Sequence, residues 1–237
     1  MRLHRFFSPE PVGSRTELII RSSELVNQLR RVFRLKIGEE VVIFDGSGSD
    51  YEFAIARYDG ADRVVLEHRS SSRSRYMPPR KVFLSAALVK KDNFEFIVEK
   101  ATELGVTDII PVLAERSEKK AVNESRLKKI AIEASEQSGR GDVPMIHPVS
   151  TLAAALEGFK KDEVESIAFH TEGEAFDGSD FSKDSPIAVF IGPEGGWSQD
   201  EMDLFHKNEV AVRCLGTQVL RAETAVVATL SQVVFNN

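Results

Sequence analysis

Cysteine is almost missing from this chain of 237 residues, with Cys214 the single example. No internal disulfide can form, and no second thiol offers metal-ligand spacing, so Cys214 is expected to be a buried, inert side chain in a reducing compartment. Long apolar runs are absent too. No segment approaches the roughly 18 uninterrupted apolar residues of a membrane span, and the N-terminal MRLHRFFSPEP lacks the apolar centre of a signal peptide. The expectation is a cytoplasmic protein with no membrane contact. The five histidines are scattered, which leaves no zinc-type cluster and no expected metal. There is no G-x-G-x-x-G and no Lys-Ser/Thr of a P-loop, which disfavours a Rossmann dinucleotide site and an NTPase. There is no G-x-S-x-G elbow either, although a Ser-His-Asp triad drawn from distant residues stays open. No internal repeat is present.

What the chain does have is an ordinary apolar fraction, 42%, enough for a packed core, and a net charge of −6 that is unevenly spread. Residues 1–80 hold 14 Lys+Arg against 11 Asp+Glu, whereas residues 81–237 hold 17 against 26. Within residues 1–36 the cations Arg2, Arg5, Arg15, Arg21, Arg30, Arg31, Arg34 and Lys36 face only Glu10, Glu17 and Glu24. This asymmetry suits an anionic polymer as partner, and equally a solvated face.

The stretch RSSSRSRYMPPR, Arg69 to Arg80, has the composition of an exposed linker and divides the chain into an expected 1–72 and 73–237. Upstream, EVVIFDG, YEFAIARYDG and RVVLEHR read as hairpin strands of a small barrel, separated by Asp-Gly turns. A helix from Ser23 to about Leu35 precedes them and would group Arg30, Arg31 and Arg34. Downstream, KVFLSAALV and TDIIPVL read as buried strands around a helix with Phe94, Ile97, Ala101 and Leu104 on one face. Further alternation of strands and helices predicts an α/β fold with a mostly parallel sheet covered on both faces.

Ligands bind at the carboxyl ends of strands in such a sheet, and three ends are unusual: FHTEGE, GPEGG and GTQVLRAET. Gly192, Gly195 and Gly196 permit close backbone approach to a ligand, and Pro193 stiffens the turn. Ser198 with Glu201 three positions later predicts a capping box. A tight strand-to-helix turn explains the segment equally well. In the third loop Val219 and Leu220 are apolar, and Arg221 and Glu223 bring opposite charges that either form an ion pair or serve chemistry.

Taken together, KATELGVTDIIPVLAERS, EASEQSGR followed by VP, IGPEGGWSQDE and LGTQVLRAETA, with HRFF and RVFRLKIGEEV at the start, resemble the RsmE family of ribosomal RNA methyltransferases. The resemblance implies a SPOUT-class enzyme with a deep trefoil knot in its C-terminal domain and a PUA-like β-barrel at its N-terminus. It implies methylation of N3 of a uridine in small-subunit (16S) ribosomal RNA, with S-adenosylmethionine as donor, the assembled subunit as substrate and a homodimer as the working form. Carried onto this chain, the cofactor residues are Phe169, His170 and Thr171; Ile191, Gly192, Pro193, Gly195 and Gly196; and Leu215, Gly216, Val219, Leu220, Thr224 and Ala225. Arg221 is the expected cation at the reacting base, Glu223 or Glu194 the proton acceptor, and Arg5, Arg30, Arg31 and Arg34 the RNA contacts. Gln218 stands where the family commonly has Arg, Ala222 where it has Thr, and Lys90-Lys91-Asp92 where it has Lys-Gly-Asp. Two rivals remain from the residues alone: the same fold acting on another nucleotide, and a non-catalytic RNA-binding assembly protein.

Overall fold

The computed structural model describes residues 3–78, 80–177, 182 and 185–235. They fall into two compact units, Met1–Met77 with Ser135–Asp142, and Pro78–Ala134 with Val143–Asn237.

In the first unit, β1 (His4–Phe7), β2 (Glu17–Arg21), β3 (Glu40–Phe44), β4 (Ser49–Asp59) and β5 (Arg63–Arg73) form one sheet in the order β1-β3-β4-β5-β2. β1 runs parallel to β3 and the other pairs are antiparallel. Period-two alternation sends Val41, Ile43, Phe53, Ile55, Val64 and Leu66 into one core, where Phe6, Leu18, Val26 and Leu29 join them. The expected hairpin strands are present. The expected linker is not, over its first part: Arg69 to Arg73 continue β5, and Ser70 Oγ donates to Glu52 across the ladder at 2.7 Å. Nor is the first unit a continuous stretch ending at residue 72. The Phe7 amide donates to Glu136 Oε1 at 2.9 Å and Arg5 Nη2 to the Arg140 carbonyl at 2.9 Å, which tie residues 135–142 into it. Composition reports local exposure and says nothing of such distant partners.

The basic helix also departs from expectation. It is α-helical only over α1 (Ser23–Asn27) and then widens into a π-helical turn, Gln28–Val32, with Phe33 N–H on the Gln28 carbonyl at 2.9 Å. Arg34 lies past its end at φ 57°, in the left-handed position that glycine usually takes, beneath a Leu35 N–H to Leu29 carbonyl bond of 2.8 Å. Arg30, Arg31 and Arg34 therefore do not share a regular α-helical face. Arg30, Arg31 and Arg34 are all exposed, and Arg30 also stacks over the Tyr58 ring at 5.1 Å and donates to the Gly60 carbonyl. Arg5, expected to face RNA, is turned into the protein instead. Its side chain is 8% exposed and grips Asp50 through two bonds of 2.6 and 2.8 Å, because a guanidinium taken out of water needs a carboxylate beside it.

The second unit contains β6 (Val82–Ala87), α2 (Lys91–Glu103), β7 (Asp108–Leu113), α3 (Glu124–Ser138, whose last turn belongs to the first unit), β8 (Met145–Ile146), β9 (Ser150–Thr151), α4 (Leu152–Lys161), β10 (Glu165–Ala175), β11 (Ile187–Ile191), α5 (Gln199–Lys207), β12 (Ala211–Cys214) and α6 (Ala222–Phe235). The sheet order is β12-β10-β11-β6-β7-β8, with β9 also on β7, and every pair is parallel. β11 explains why both faces are covered. Ile187, Val189 and Ile191 enter a core shared with α2 and α6, and Ala188 and Phe190 enter another shared with α4 and α5. Among the described residues, no helix is long and apolar enough to cross a membrane.

Candidate functional site

Because β12, β10 and β11 are adjacent and parallel, the segments leaving their carboxyl ends come out side by side. After Ile191 the chain turns at once. The Gly196 amide closes onto the Pro193 carbonyl at 2.8 Å, and Gly196 takes φ 68°, a value that side chains strain to reach. Gly192 answers to a different demand: a Cβ there would sit 3.2 Å from the Trp197 ring, which is itself buried against Phe205. α5 then starts on the predicted capping box. Ser198 Oγ accepts from the Glu201 amide and Glu201 Oε2 from the Ser198 amide at 2.8 Å.

The second wall is a bulge rather than a loop after a strand. β10 pairs with β12 at Phe169 and Arg213, skips His170 to Gly173, and resumes with Glu174 against the same Arg213. Gly173 makes the skip possible, since a Cβ there would fall 2.6 to 2.8 Å from the Arg213 backbone. His170 Nδ1 accepts from the Glu172 amide at 3.3 Å, so in the neutral ring Nε2 carries the proton, beside Gly196. The third wall is Leu215 to Leu220, an irregular segment in which Gly216 has φ 142° and which runs into α6.

These walls enclose one cavity of about 230 Å³. Phe169, His170, Thr171, Ile191, Gly192, Pro193, Glu194, Gly195, Gly196, Leu215, Gly216, Val219, Leu220 and Ala225 all line it. Arg221, Glu223 and Thr224, the last expected at the cofactor, do not line it. The reason is helical: Ala222 and Ala225, three apart, turn inward, so the two residues between them turn away. Among the described residues no ion pair joins Arg221 to Glu223. Arg221 is exposed, and Glu223 Oε2 is buried without a hydrogen-bond partner. Cys214, expected to be buried and inert, is half-buried and lines the cavity, as do Gln218 and Ala222. Applied to the RAETA stretch, the i, i+3 rule would have found Ala222; nothing in the sequence marks Cys214.

One more contact escaped the sequence reading. Arg116, on the segment after β7, donates through Nη1 to the Gly195 carbonyl at 2.7 Å and to the Trp197 carbonyl at 3.4 Å. Its neighbour Glu115 donates its amide to Glu201 Oε1 at 2.9 Å.

The RNA methyltransferase domain family matches residues 77–234. Ribosomal RNA small subunit methyltransferase E of Rickettsia conorii is 29% identical over 98% of this chain and 96% of its own length. The protein of the same name from Bacillus subtilis is 32% identical over 90% and 88%. Among solved structures, ribosomal RNA small subunit methyltransferase E of Neisseria gonorrhoeae, bound to S-adenosyl methionine, superposes with a TM-score of 0.89 at 28% identity, covering 97% of this chain and 96% of that one. A Legionella pneumophila protein in complex with the bound cofactor SAM gives 0.86 at 28% identity over 98% and 97%.

Proposed function

Because the chain belongs to the ribosomal RNA small subunit methyltransferase E family, we propose that it methylates N3 of a uridine in 16S ribosomal RNA with S-adenosylmethionine as donor. The observation that carries this reading is the convergence of the β11 and β12 ends and the β10 bulge on one cavity. The cavity suits that donor chemically. Val219 is 80% and Leu220 36% exposed, so a flat apolar ring seated on them would take their surface out of water. Ile191, Pro193 and Leu215 add apolar wall, and His170, Thr171, Glu194 and Gln218 set polar groups on it. The backbone of Gly192, Leu215 and Leu220 is assigned to the adenosine.

When bound, the cofactor supplies an electrophilic methyl group on a sulfonium. The residues of the chain have a complementary task at the uridine, whose N3 carries a proton and so lacks a free lone pair. Glu194, the carboxylate on the cavity wall, accepts that proton; the charge left on the base spreads over N3, O2 and O4. Arg221, exposed between the lining residues Leu220 and Ala222, stabilises it electrostatically. Glu223 is turned from the cavity and is the weaker candidate for the base. The remaining acceleration comes from holding the two reactants in line.

We read the second unit as carrying the trefoil knot of the SPOUT class, supported by the return of β12 to the far side of β10 and by α6 packing on β11. The first unit is read as a PUA-like barrel that binds RNA through Arg31 and Arg34. The enzyme acts as a cytoplasmic homodimer on the assembled small subunit. Calorimetry with S-adenosylmethionine is the first test, with no binding at millimolar concentration counting against catalysis. Mass-spectrometric mapping of 16S nucleosides from cells with and without the gene is the second. Loss of a 3-methyluridine on deletion is expected, and loss of a different methylated nucleoside would transfer the activity to another target.

A further inference from the structure

We propose that Arg116 is a positioning residue for this reaction: by binding the Gly195 and Trp197 carbonyls it holds the Ile191–Gly196 loop in the shape that receives the methyl donor. The inference rests on the function proposed above, and deepens it by naming what keeps the site formed.

The need for such a residue follows from topology. β7 and β11 lie on opposite sides of β6, so no ladder of backbone hydrogen bonds links the segments that follow them. Side chains must do it, and two do, first that of Arg116 and second that of Glu201. Arg116 Nη1 reaches the Gly195 carbonyl at 2.7 Å and the Trp197 carbonyl at 3.4 Å, while the Glu115 amide reaches Glu201 Oε1 at 2.9 Å. Glu201 is 7% exposed and its other oxygen already takes the Ser198 amide, so the second bond starts from a rigid point. The start of the Arg116 stem is fixed as well: the Ser117 amide donates to the Ala114 carbonyl and the Ala114 amide to Ser117 Oγ, both at 3.1 Å.

The glycine in this contact is explained by it. A Cβ on Gly195 would lie 3.3 Å from Arg116 Cδ and 3.4 Å from its Cβ, so a side chain at position 195 would crowd the stem where it lies along the turn. Gly195 φ is not in the left-handed region, which leaves this close approach as its physical reason. Both bonds leave the one nitrogen Nη1, so a lysine ammonium can replace them only where its more flexible stem places Nζ at the same point. Trp197, the only tryptophan in the chain, shares the clamp through its carbonyl and touches Gly192 through its ring, so its fluorescence reports on the loop without turnover.

The experiment uses the full-length protein as wild type, Arg116→Ala, Arg116→Lys and Gly195→Ala, the last crowding the stem without removing the charge. Acrylamide quenching of Trp197, calorimetric titration with S-adenosylmethionine, and KM for donor and RNA are measured after circular dichroism has checked the fold. Arg116→Ala is expected to raise quenching, weaken donor binding by about tenfold or more, and raise KM for the donor while KM for RNA holds. Arg116→Lys is expected to fall between it and wild type. If Arg116→Ala does not fold, Gly195→Ala decides alone, with the same expected pattern. Unchanged quenching and donor affinity overturns the proposal, and so does a rise in KM for RNA alone, which would make Arg116 a phosphate contact. A wild type that does not bind the donor overturns the proposed function and this inference with it; a wild type that binds alongside variants that bind equally well overturns only the inference.

Discussion

At the scale of single residues, the three glycines around Pro193 have separate causes. Gly196 is required by its φ of 68°, Gly195 by the Arg116 stem and Gly192 by the Trp197 ring. Gly192→Ala places a methyl group 3.2 Å from a ring that Phe205 backs, so either the ring or the loop must move. We expect donor affinity to fall about tenfold, a cost of about 1.4 kcal/mol within the usual range for overpacking, together with a changed near-ultraviolet signal from Trp197. An unchanged affinity and spectrum would show that the ring yields freely. Asp45 offers a residue-scale test in the first unit. Burial pushes its carboxyl up, but hydrogen bonds from the Ser47 side chain and from the backbone of Val12 and Ser47 outweigh burial and hold it below its ordinary value. A carboxyl lowered in the folded state contributes stability above its unfolded value and loses it as pH falls through the folded one. Asp45→Asn should therefore flatten the acid side of the stability curve, measured by urea unfolding from neutral pH downward. Parallel curves for variant and wild type would remove Asp45 from the account.

At the scale of elements, the start of α5 is where local and tertiary demands meet. Glu201 closes the capping box and also receives the Glu115 amide, so one carboxylate satisfies two backbone donors besides favouring the helix N-terminus. Glu201→Ala should cost about 1 to 3 kcal/mol, the range for a lost cap and an unpaired buried donor, and lower the melting temperature by several degrees. Thermal unfolding checks it, and a melting temperature within a degree of wild type would mean that water replaces the carboxylate. The capping box was legible in the sequence because its pattern spans four residues. The bulge in β10 was not: Phe169 and Glu174 both pair with Arg213, a partner distant along the chain, whose backbone lies against Gly173. Likewise the widened turn after α1 has no compositional mark, and it separates three arginines that regular helical spacing would group.

At the scale of the whole molecule, the net charge of −6 hides a basic beginning, but structure narrows which cations can serve. Arg5 is buried against Asp50; Arg30 is exposed but held over Tyr58 and on the Gly60 carbonyl, and Arg31 and Arg34 are exposed. Replacing both by Ala should weaken binding to ribosomal subunits at every salt concentration. It should also reduce the slope of log affinity against log salt by about 2, roughly one for each lost phosphate contact. An unchanged slope would place the phosphate contacts elsewhere.

The sequence by itself determined the alternation of strands and helices, the hairpins of the first sheet, the α5 cap and the three segments that wall the cavity. Each of these rests on periodicity, turn chemistry or a short motif, which act over a few residues. Tertiary structure alone decided that residues 135–142 join the first unit, that Arg5 is buried, that Glu194 faces the cavity while Glu223 does not, and that Arg116 reaches Gly195. These depend on which distant groups meet. A guanidinium has the same composition whether it faces solvent, a carboxylate or a carbonyl, and only the packed chain distinguishes them.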